Sequence, residues 1–130
     1  MVKAELKYRV LYSHTDVMGI ANNERYLEYF EAGRNELMRS RGFPYTELEK
    51  LKIGLPLIEA KIKYIAGAKY DDELRITAEM GKMQGVRLTI NYKIFVGEKL
   101  IAEGYTEHAF VKLGSLKPVR PPEEFINIFK

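Results

Sequence analysis

The stretch Tyr-Ser-His-Thr-Asp-Val-Met-Gly-Ile-Ala-Asn-Asn-Glu-Arg-Tyr-Leu-Glu-Tyr-Phe-Glu-Ala-Gly-Arg-Asn-Glu-Leu-Met-Arg, residues 12–39, decides the fold of this chain. In its second half, apolar or small residues recur at the three- and four-residue spacing of one helix face: Tyr26, Tyr29, Phe30, Gly33 and Leu37. Three neighbours widen this face: Leu27, Ala32 and Met38. The pattern predicts one long helix over residues 23–41, packed against a sheet.

Both ends of this helix carry boundary signals. Asn22 or Asn23 suits the N-cap position, because a short side-chain oxygen can accept from the unpaired amides of the first turn. Gly42 suits the position after the last helical residue, and Pro44 prevents continuation. Asp16 therefore lies in a polar turn just ahead of the positive end of the helix.

The rest of the chain has the alternating pattern of half-buried strands. Strands are predicted over residues 2–12, 58–64, 74–80, 86–96 and 99–111. Gly97-Glu98 indicates a tight hairpin, and Gly104 indicates a bulge. Shorter helical segments are predicted at residues 44–51 and after Pro122. Short connections favour an antiparallel sheet, and one amphipathic helix must cover its apolar face, so the predicted fold class is α+β.

One helix cannot cover five long strands. The uncovered apolar remainder predicts association, most simply as a two-fold dimer.

Composition limits the classes of function. With 130 residues, 46% of them hydrophobic and 30% charged, we expect one globular domain over residues 1–130. No apolar run approaches the roughly 20 residues of a membrane span and no signal peptide is recognisable, so we expect a cytoplasmic protein without a membrane span. The net charge of +3 comes from interspersed signs, which suits an anionic small ligand and gives little support to nucleic-acid binding.

Cysteine chemistry is excluded, because the chain has no cysteine. Only two histidines are present, His14 and His108, so no metal site is expected. The remaining candidate for a catalytic site is Asp16 together with the start of the predicted helix. Free N–H groups there can polarise a carbonyl, and a nearby carboxylate can attack it or activate a water, as acyl transfer requires.

The motif Asp16-x-x-Gly19, followed by Tyr26 and by Phe30-Glu31-x-x-Arg34-x-Glu36, resembles the signature of the hot-dog-fold acyl-CoA thioesterases. The subgroup it resembles contains 4-hydroxybenzoyl-CoA thioesterase and the Tol-Pal-associated, YbgC-type acyl-CoA thioesterases. Further similarity extends through residues 64–74 and 87–92, Gly104-x-Thr106 and residues 118–122. The resemblance implies a curled antiparallel sheet of five or more strands wrapped around one long central helix.

The resemblance also implies a reaction, the hydrolysis of an acyl-CoA thioester to a free acid and coenzyme A. No cofactor is expected, since coenzyme A is part of the substrate. The resemblance assigns the catalytic carboxylate to Asp16 and the oxyanion donor to the backbone N–H of Asn23. Gly19 would supply an unusual backbone angle or a close approach to the substrate, and His14 could orient Asp16 or a water. The site is expected between two subunits of a homodimer, and a dimer of dimers, a homotetramer, is expected.

Substrate-binding residues are predicted less directly. Tyr26, with Tyr29 and Tyr64, could line an acyl pocket, although aromatic residues at such spacing are more often core or interface residues. Lys82 and Arg87 are candidates for binding coenzyme A, against the default reading of solvated strand residues. Two alternatives stay open: a thioesterase for acyl-carrier protein, and a non-catalytic acyl-CoA-binding protein.

Overall fold

The computed structural model describes residues 2–130. In chain order the elements are β1 (Lys3–Arg9), α1 (Arg25–Ser40), α2 (Tyr45–Lys50), β2 (Ile53–Gly54), β3 (Leu57–Tyr64), β4 (Glu73–Gln84), β5 (Arg87–Val96), β6 (Lys99–Ala109), β7 (Val111–Lys112) and α3 (Glu123–Phe129). Five strands form one antiparallel sheet in the order β1-β4-β5-β6-β3, while β2 pairs only with β7. The predicted α+β architecture of one long helix and a five-stranded antiparallel sheet is confirmed.

The core lies between α1 and one face of the sheet. Alternate side chains of the two central strands are buried on this face: Leu74, Ile76, Ala78 and Met80 of β4, and Leu88, Ile90, Tyr92 and Ile94 of β5. Full burial of such a side chain stabilises the fold by about 1.5–3 kcal/mol. Gly33 lets the helix approach closely, since a Cβ there would lie 2.8 Å from Cγ2 of Ile76.

The helix does not cover the whole sheet. It packs on β1 and β4 and reaches β5, but makes few or no contacts with β6 and β3. Strand β3 is an edge strand paired only with β6, and three of its apolar side chains, Leu57, Ile58 and Tyr64, are 46–47% exposed. The sequence predicts that one helix leaves part of the apolar sheet uncovered, as is found here, and the association inferred from it stays a prediction.

The boundaries at the start of the helix differ from those predicted. β1 ends at Arg9 instead of residue 12, because the chain turns into a 3₁₀ helix at Tyr12–His14. The helix begins at Arg25 with Glu24 as its N-cap, and no side chain caps it, so the N-cap assignment to Asn22 or Asn23 is wrong. Asn22 and Asn23 contribute through their backbone carbonyls, which accept hydrogen bonds in the turns that lead into the helix.

Two further expectations are wrong. Leu27 is 38% exposed and does not widen the buried helix face. Gly104 is not a bulge, since it pairs in register with Ile62 of β3 and Tyr92 of β5. The register shifts lie elsewhere, between residues 57 and 59 and between residues 94 and 95. Glycine is needed at position 104 for a different reason, because a Cβ there would lie 1.9 Å from the carbonyl oxygen of Lys61.

A buried chain of polar groups links the helix to the sheet. Arg34 Nη1 donates to Tyr92 Oη (3.2 Å), which is 2.6 Å from Thr106 Oγ1. His108 Nε2 is 2.9 Å from the same Thr106 oxygen, and His108 Nδ1 is 3.1 Å from the carbonyl oxygen of Leu55. A carbonyl can only accept, so Nδ1 of His108 carries a proton. Burial lowers the pKa of His108 and keeps the ring neutral at neutral pH, so Nε2 accepts from the Thr106 hydroxyl and Thr106 in turn accepts from Tyr92.

The neutral state of His108 makes stability depend on pH. Burial lowers the pKa of His108 to about 4, with a further contribution from the charge of Arg34. The unfolded chain takes up the proton near its ordinary pKa of about 6.5, so stability is complete above that pH and is lost as pH falls toward 4. Titration of this residue should lower the free energy of unfolding by about 2–3 kcal/mol between about pH 7.5 and about pH 4.5.

Urea unfolding of wild type and His108→Gln at these two pH values measures this effect. The variant should be less stable at neutral pH, because it breaks the chain of hydrogen bonds, but should lose less stability on acidification. An equal loss in both proteins would contradict the assignment to His108.

Candidate active site

The residues between the 3₁₀ turn and α1 form a tight loop, and Asp16 is the first residue of the turn that reverses the chain. The backbone N–H of Asp16 donates to the carbonyl of Ile20 (2.9 Å), and that of Gly19 donates to the carbonyl of Asp16 (3.0 Å). Gly19 has φ +81°, a left-handed angle that glycine adopts without steric cost. The carboxylate of Asp16 accepts from the N–H of Met18 (2.8 Å) and remains exposed. The loop thus presents an accessible carboxylate in a defined orientation.

A first anchor ties this loop to the helix. His14 is buried, its carbonyl accepts from the N–H of Asn22 (2.8 Å), and its Nδ1 lies 3.0 Å from Tyr29 Oη. Burial raises the pKa of Tyr29, so its hydroxyl keeps its proton. Within residues 2–130 no hydrogen bond joins His14 to Asp16. An orienting role for His14 stays a prediction, and the contact found for its ring is with Tyr29.

A second anchor comes from the loop between β3 and β4. The N–H of Ala21 donates to the carbonyl of Ala68 (2.8 Å), and the N–H of Ala68 donates to Tyr26 Oη (3.2 Å). Gly67 allows close contact, since a Cβ there would lie 2.8 Å from Cγ2 of Ile20. Tyr26 is thus a buried core residue that braces the site, and its predicted contact with substrate remains untested. The only sequence signal for this brace is a run of small residues, 66–68, which suggests a loop.

The helix start offers free donors beside this loop. The carbonyls of Asn22 and Asn23 accept from Arg25 N–H (3.0 Å) and Tyr26 N–H (3.2 Å). Among the described residues, the N–H groups of Asn23 and Glu24 donate to no protein acceptor. They are therefore available to an oxygen that approaches from outside the helix.

Apolar side chains flank the loop. Val17 is fully exposed and Met18 is 77% exposed. Tyr12 and Tyr70 are also exposed and contact each other edge-to-face, with ring centroids 5.5 Å apart. Exposed apolar groups beside a carboxylate suit an interface or the apolar part of a ligand.

Lys82 and Arg87 are brought together, but not with Asp16. They line one cavity of about 320 Å³ at the tip of the β4–β5 hairpin, where Arg87 pairs with Glu107 (2.6 Å). The loop that braces Asp16 precedes Glu73, at the other end of β4. Lys82 lies nine positions along β4 from Glu73, which is about 30 Å. Within one chain these two cations therefore lie far from the Asp16 loop, and their contact with coenzyme A stays a prediction.

The part of the chain that the structure describes shows no membrane-crossing candidate, since none of its helices is long and apolar enough. Over the same residues 2–130, no group of three or more histidine or acidic side chains could hold a metal ion.

Comparison with known proteins identifies the family. A model of the thioesterase-like superfamily matches residues 10–129, and the chain belongs to this family. The acyl-CoA thioesterase YbgC of Haemophilus influenzae is 31% identical, over 89% of this chain and 86% of its own length. A crystal structure of a hypothetical protein from Aquifex aeolicus superimposes with a TM-score of 0.92 at 30% identity, covering 98% of this chain and 99% of that one.

A crystal structure of 4-hydroxybenzoyl CoA thioesterase superimposes with a TM-score of 0.89, over 100% of both chains, at 15% identity. At this identity the likeness establishes the fold alone. The predicted hot-dog fold and the predicted thioesterase family are confirmed.

Proposed function

We propose that this chain hydrolyses an acyl-CoA thioester to the free acid and coenzyme A. Membership of the thioesterase-like superfamily and similarity to the YbgC acyl-CoA thioesterase support this activity. The structural observation that supports the proposal is the arrangement around Asp16. An exposed carboxylate, Asp16, sits on a loop anchored twice against the start of α1, where the N–H of Asn23 is free.

The chemistry assigned to these groups is acyl transfer. Asp16 either attacks the thioester carbonyl carbon or removes a proton from a water that attacks it. In both routes the carbonyl oxygen becomes negatively charged and accepts a hydrogen bond from Asn23 N–H. The C–S bond then breaks and coenzyme A leaves as a thiolate. When Asp16 is the nucleophile, this leaves an anhydride between the acyl group and Asp16, and water hydrolyses it to release the acid and restore Asp16. Either route consumes one water, which also provides the proton that the thiolate takes up.

Gly19 contributes through the shape of the loop. A Cβ at this position would meet nothing within 4 Å, so the need for glycine comes from the φ angle and not from crowding. A residue with a side chain would strain the turn that presents Asp16.

The test of the proposal is thiol release from a panel of acyl-CoA thioesters, with acyl-carrier-protein thioesters beside them. Turnover of the acyl-CoA compounds supports the proposal. Turnover confined to acyl-carrier protein would favour a carrier-protein thioesterase. Binding of acyl-CoA without thiol release would favour a non-catalytic binder.

We also propose that the site lies between two copies of this chain that associate through β3. An edge strand with exposed apolar residues invites pairing with another strand. Association along β3 would cover the sheet surface that α1 leaves open, and a partner could bring its own Lys82 and Arg87 closer to Asp16. A dimer of dimers stays a prediction.

Replacement of Ile58 by lysine should break this association. Ile58 is 47% exposed in one chain, so the change costs the monomer little, but it would bury a charge in the dimer. Light scattering after gel filtration should show the variant at half the mass of wild type, which is near twice the chain mass of 15.1 kDa for a dimer and near four times for a dimer of dimers. Leu51→Lys is the matched control, since Leu51 is 48% exposed and lies outside β3. An Ile58→Lys protein with the same mass as wild type would exclude β3 as the interface.

A further inference from the structure

We propose that Tyr64, the last residue of β3, positions the Asn23 N–H group for the reaction; this inference rests on the proposed function. Tyr64 Oη donates to the carbonyl oxygen of Asn23 at 3.0 Å. Within residues 2–130, it is the one side-chain hydrogen bond made to residues 22–24. The edge strand thus reaches across to the helix start.

The geometry of the peptide group explains how this bond acts. In a planar trans peptide the N–H and C=O groups point in opposite directions, so holding the carbonyl fixes the direction of the N–H. The Asn22–Asn23 peptide, which contains the Asn23 N–H, is held through its carbonyl by Arg25 N–H (3.0 Å). The next peptide is held by Tyr26 N–H at a longer 3.2 Å and by Tyr64. This second peptide carries the N–H of Glu24, so Tyr64 fixes the direction of that free donor directly. It acts on the Asn23 N–H, which lies in the preceding peptide, by limiting rotation about the bonds of Asn23.

The ring of Tyr64 is placed by packing, while its hydroxyl is not needed for that packing. The ring meets Tyr26 edge-to-face with centroids 5.1 Å apart, and Tyr26 is itself fixed by Ala68. Tyr64 is 47% exposed, so removing its hydroxyl leaves no buried polar group without a partner in the core. Loss of the hydroxyl should therefore affect the helix start more than the stability of the fold.

Replacement of Tyr64 by phenylalanine tests the role. We expect kcat for acyl-CoA hydrolysis to fall about tenfold, less than the loss of about 100- to 1,000-fold that follows removal of an oxyanion donor itself. KM should stay within about twofold, because the bond acts on the transition state and not on substrate binding.

Tyr105→Phe is the matched control. Tyr105 is a tyrosine of β6 whose hydroxyl bonds Glu59 of β3, on the outer face of the sheet and away from the helix start. Its kcat should match wild type.

A readout independent of turnover separates this inference from the proposed function. Backbone ¹⁵N relaxation should show that the N–H groups of Asn23 and Glu24 fall below the rigid order parameter of about 0.85 in Tyr64→Phe, but not in Tyr105→Phe. Unchanged order parameters would overturn the inference, whether or not the wild type hydrolyses thioesters. A rise in KM with kcat unchanged would also overturn it, since Tyr64 would then bind substrate instead of positioning the donor.

Discussion

Replacement of Asp16 by asparagine is expected to lower acyl-CoA turnover at least about 100-fold, the scale of acid–base contributions to catalysis. Asparagine is neutral, so it neither attacks a carbonyl carbon as a carboxylate does nor takes a proton from water. The turn should survive, because the amide oxygen of asparagine can still accept from the N–H of Met18, as the Asp16 carboxylate does at 2.8 Å. The Tm should therefore change little, while kcat should fall by the factor given above.

Asp71→Asn provides the control for this change. Asp71 is an exposed aspartate that also lies in a loop, and its φ of +70° is one that asparagine tolerates. The substitution makes the same change of charge, so its kcat should stay within about twofold of wild type. Substantial turnover by Asp16→Asn, with wild type active on the same acyl-CoA, would exclude Asp16 as the catalytic carboxylate. The thioesterase activity would then depend on a different residue.

The parts of the fold that sequence periodicity predicts are those in which burial repeats locally. Tyr26, Tyr29 and Leu37 fall on one helix face and are all buried, and the alternation along β4 and β5 matches their buried faces. Each of these patterns needs only the spacing of residues within one element.

The errors lie where contacts join distant parts of the chain. The brace of Ala68 on Ala21 joins residues 47 positions apart, and the run of small residues around it reads as an ordinary loop. Lys82 and Arg87 line one cavity at the tip of a hairpin, but periodicity cannot say which end of the sheet lies beside Asp16. The helix start differs for another reason, since residues 22–24 turn through local backbone hydrogen bonds that leave their side chains without a capping role.

Gly104 lets the edge strand β3 pack closely against β6, because glycine has no side chain. A Cβ at position 104 would lie 1.9 Å from the carbonyl oxygen of Lys61, which belongs to the backbone of β3. A backbone group cannot move aside without breaking the ladder between β3 and β6, so Gly104→Ala should displace the strand. We expect a loss of about 3 kcal/mol of unfolding free energy, at the upper end for overpacking, and a fall in Tm of about 10 °C.

Gly33→Ala is the comparison that isolates this cause. Its Cβ would also be crowded, at 2.8 Å, but by Cγ2 of the Ile76 side chain, which can shift. Alanine also has about 1 kcal/mol better helix propensity than glycine, so the two effects should nearly cancel. Thermal and urea unfolding of both variants would measure the difference. A Gly104→Ala protein with a Tm within about 2 °C of wild type would contradict close backbone approach as the reason for glycine.

The same substitution links the edge strand to catalysis. Because β3 ends at Tyr64, displacement of β3 should pull the Tyr64 hydroxyl away from Asn23, so kcat of Gly104→Ala should fall even well below its Tm. In the double variant Gly104→Ala/Tyr64→Phe, the losses in kcat should be less than additive in free energy, because both act through one hydrogen bond. Fully additive losses would mean that β3 influences the reaction by a route other than Tyr64.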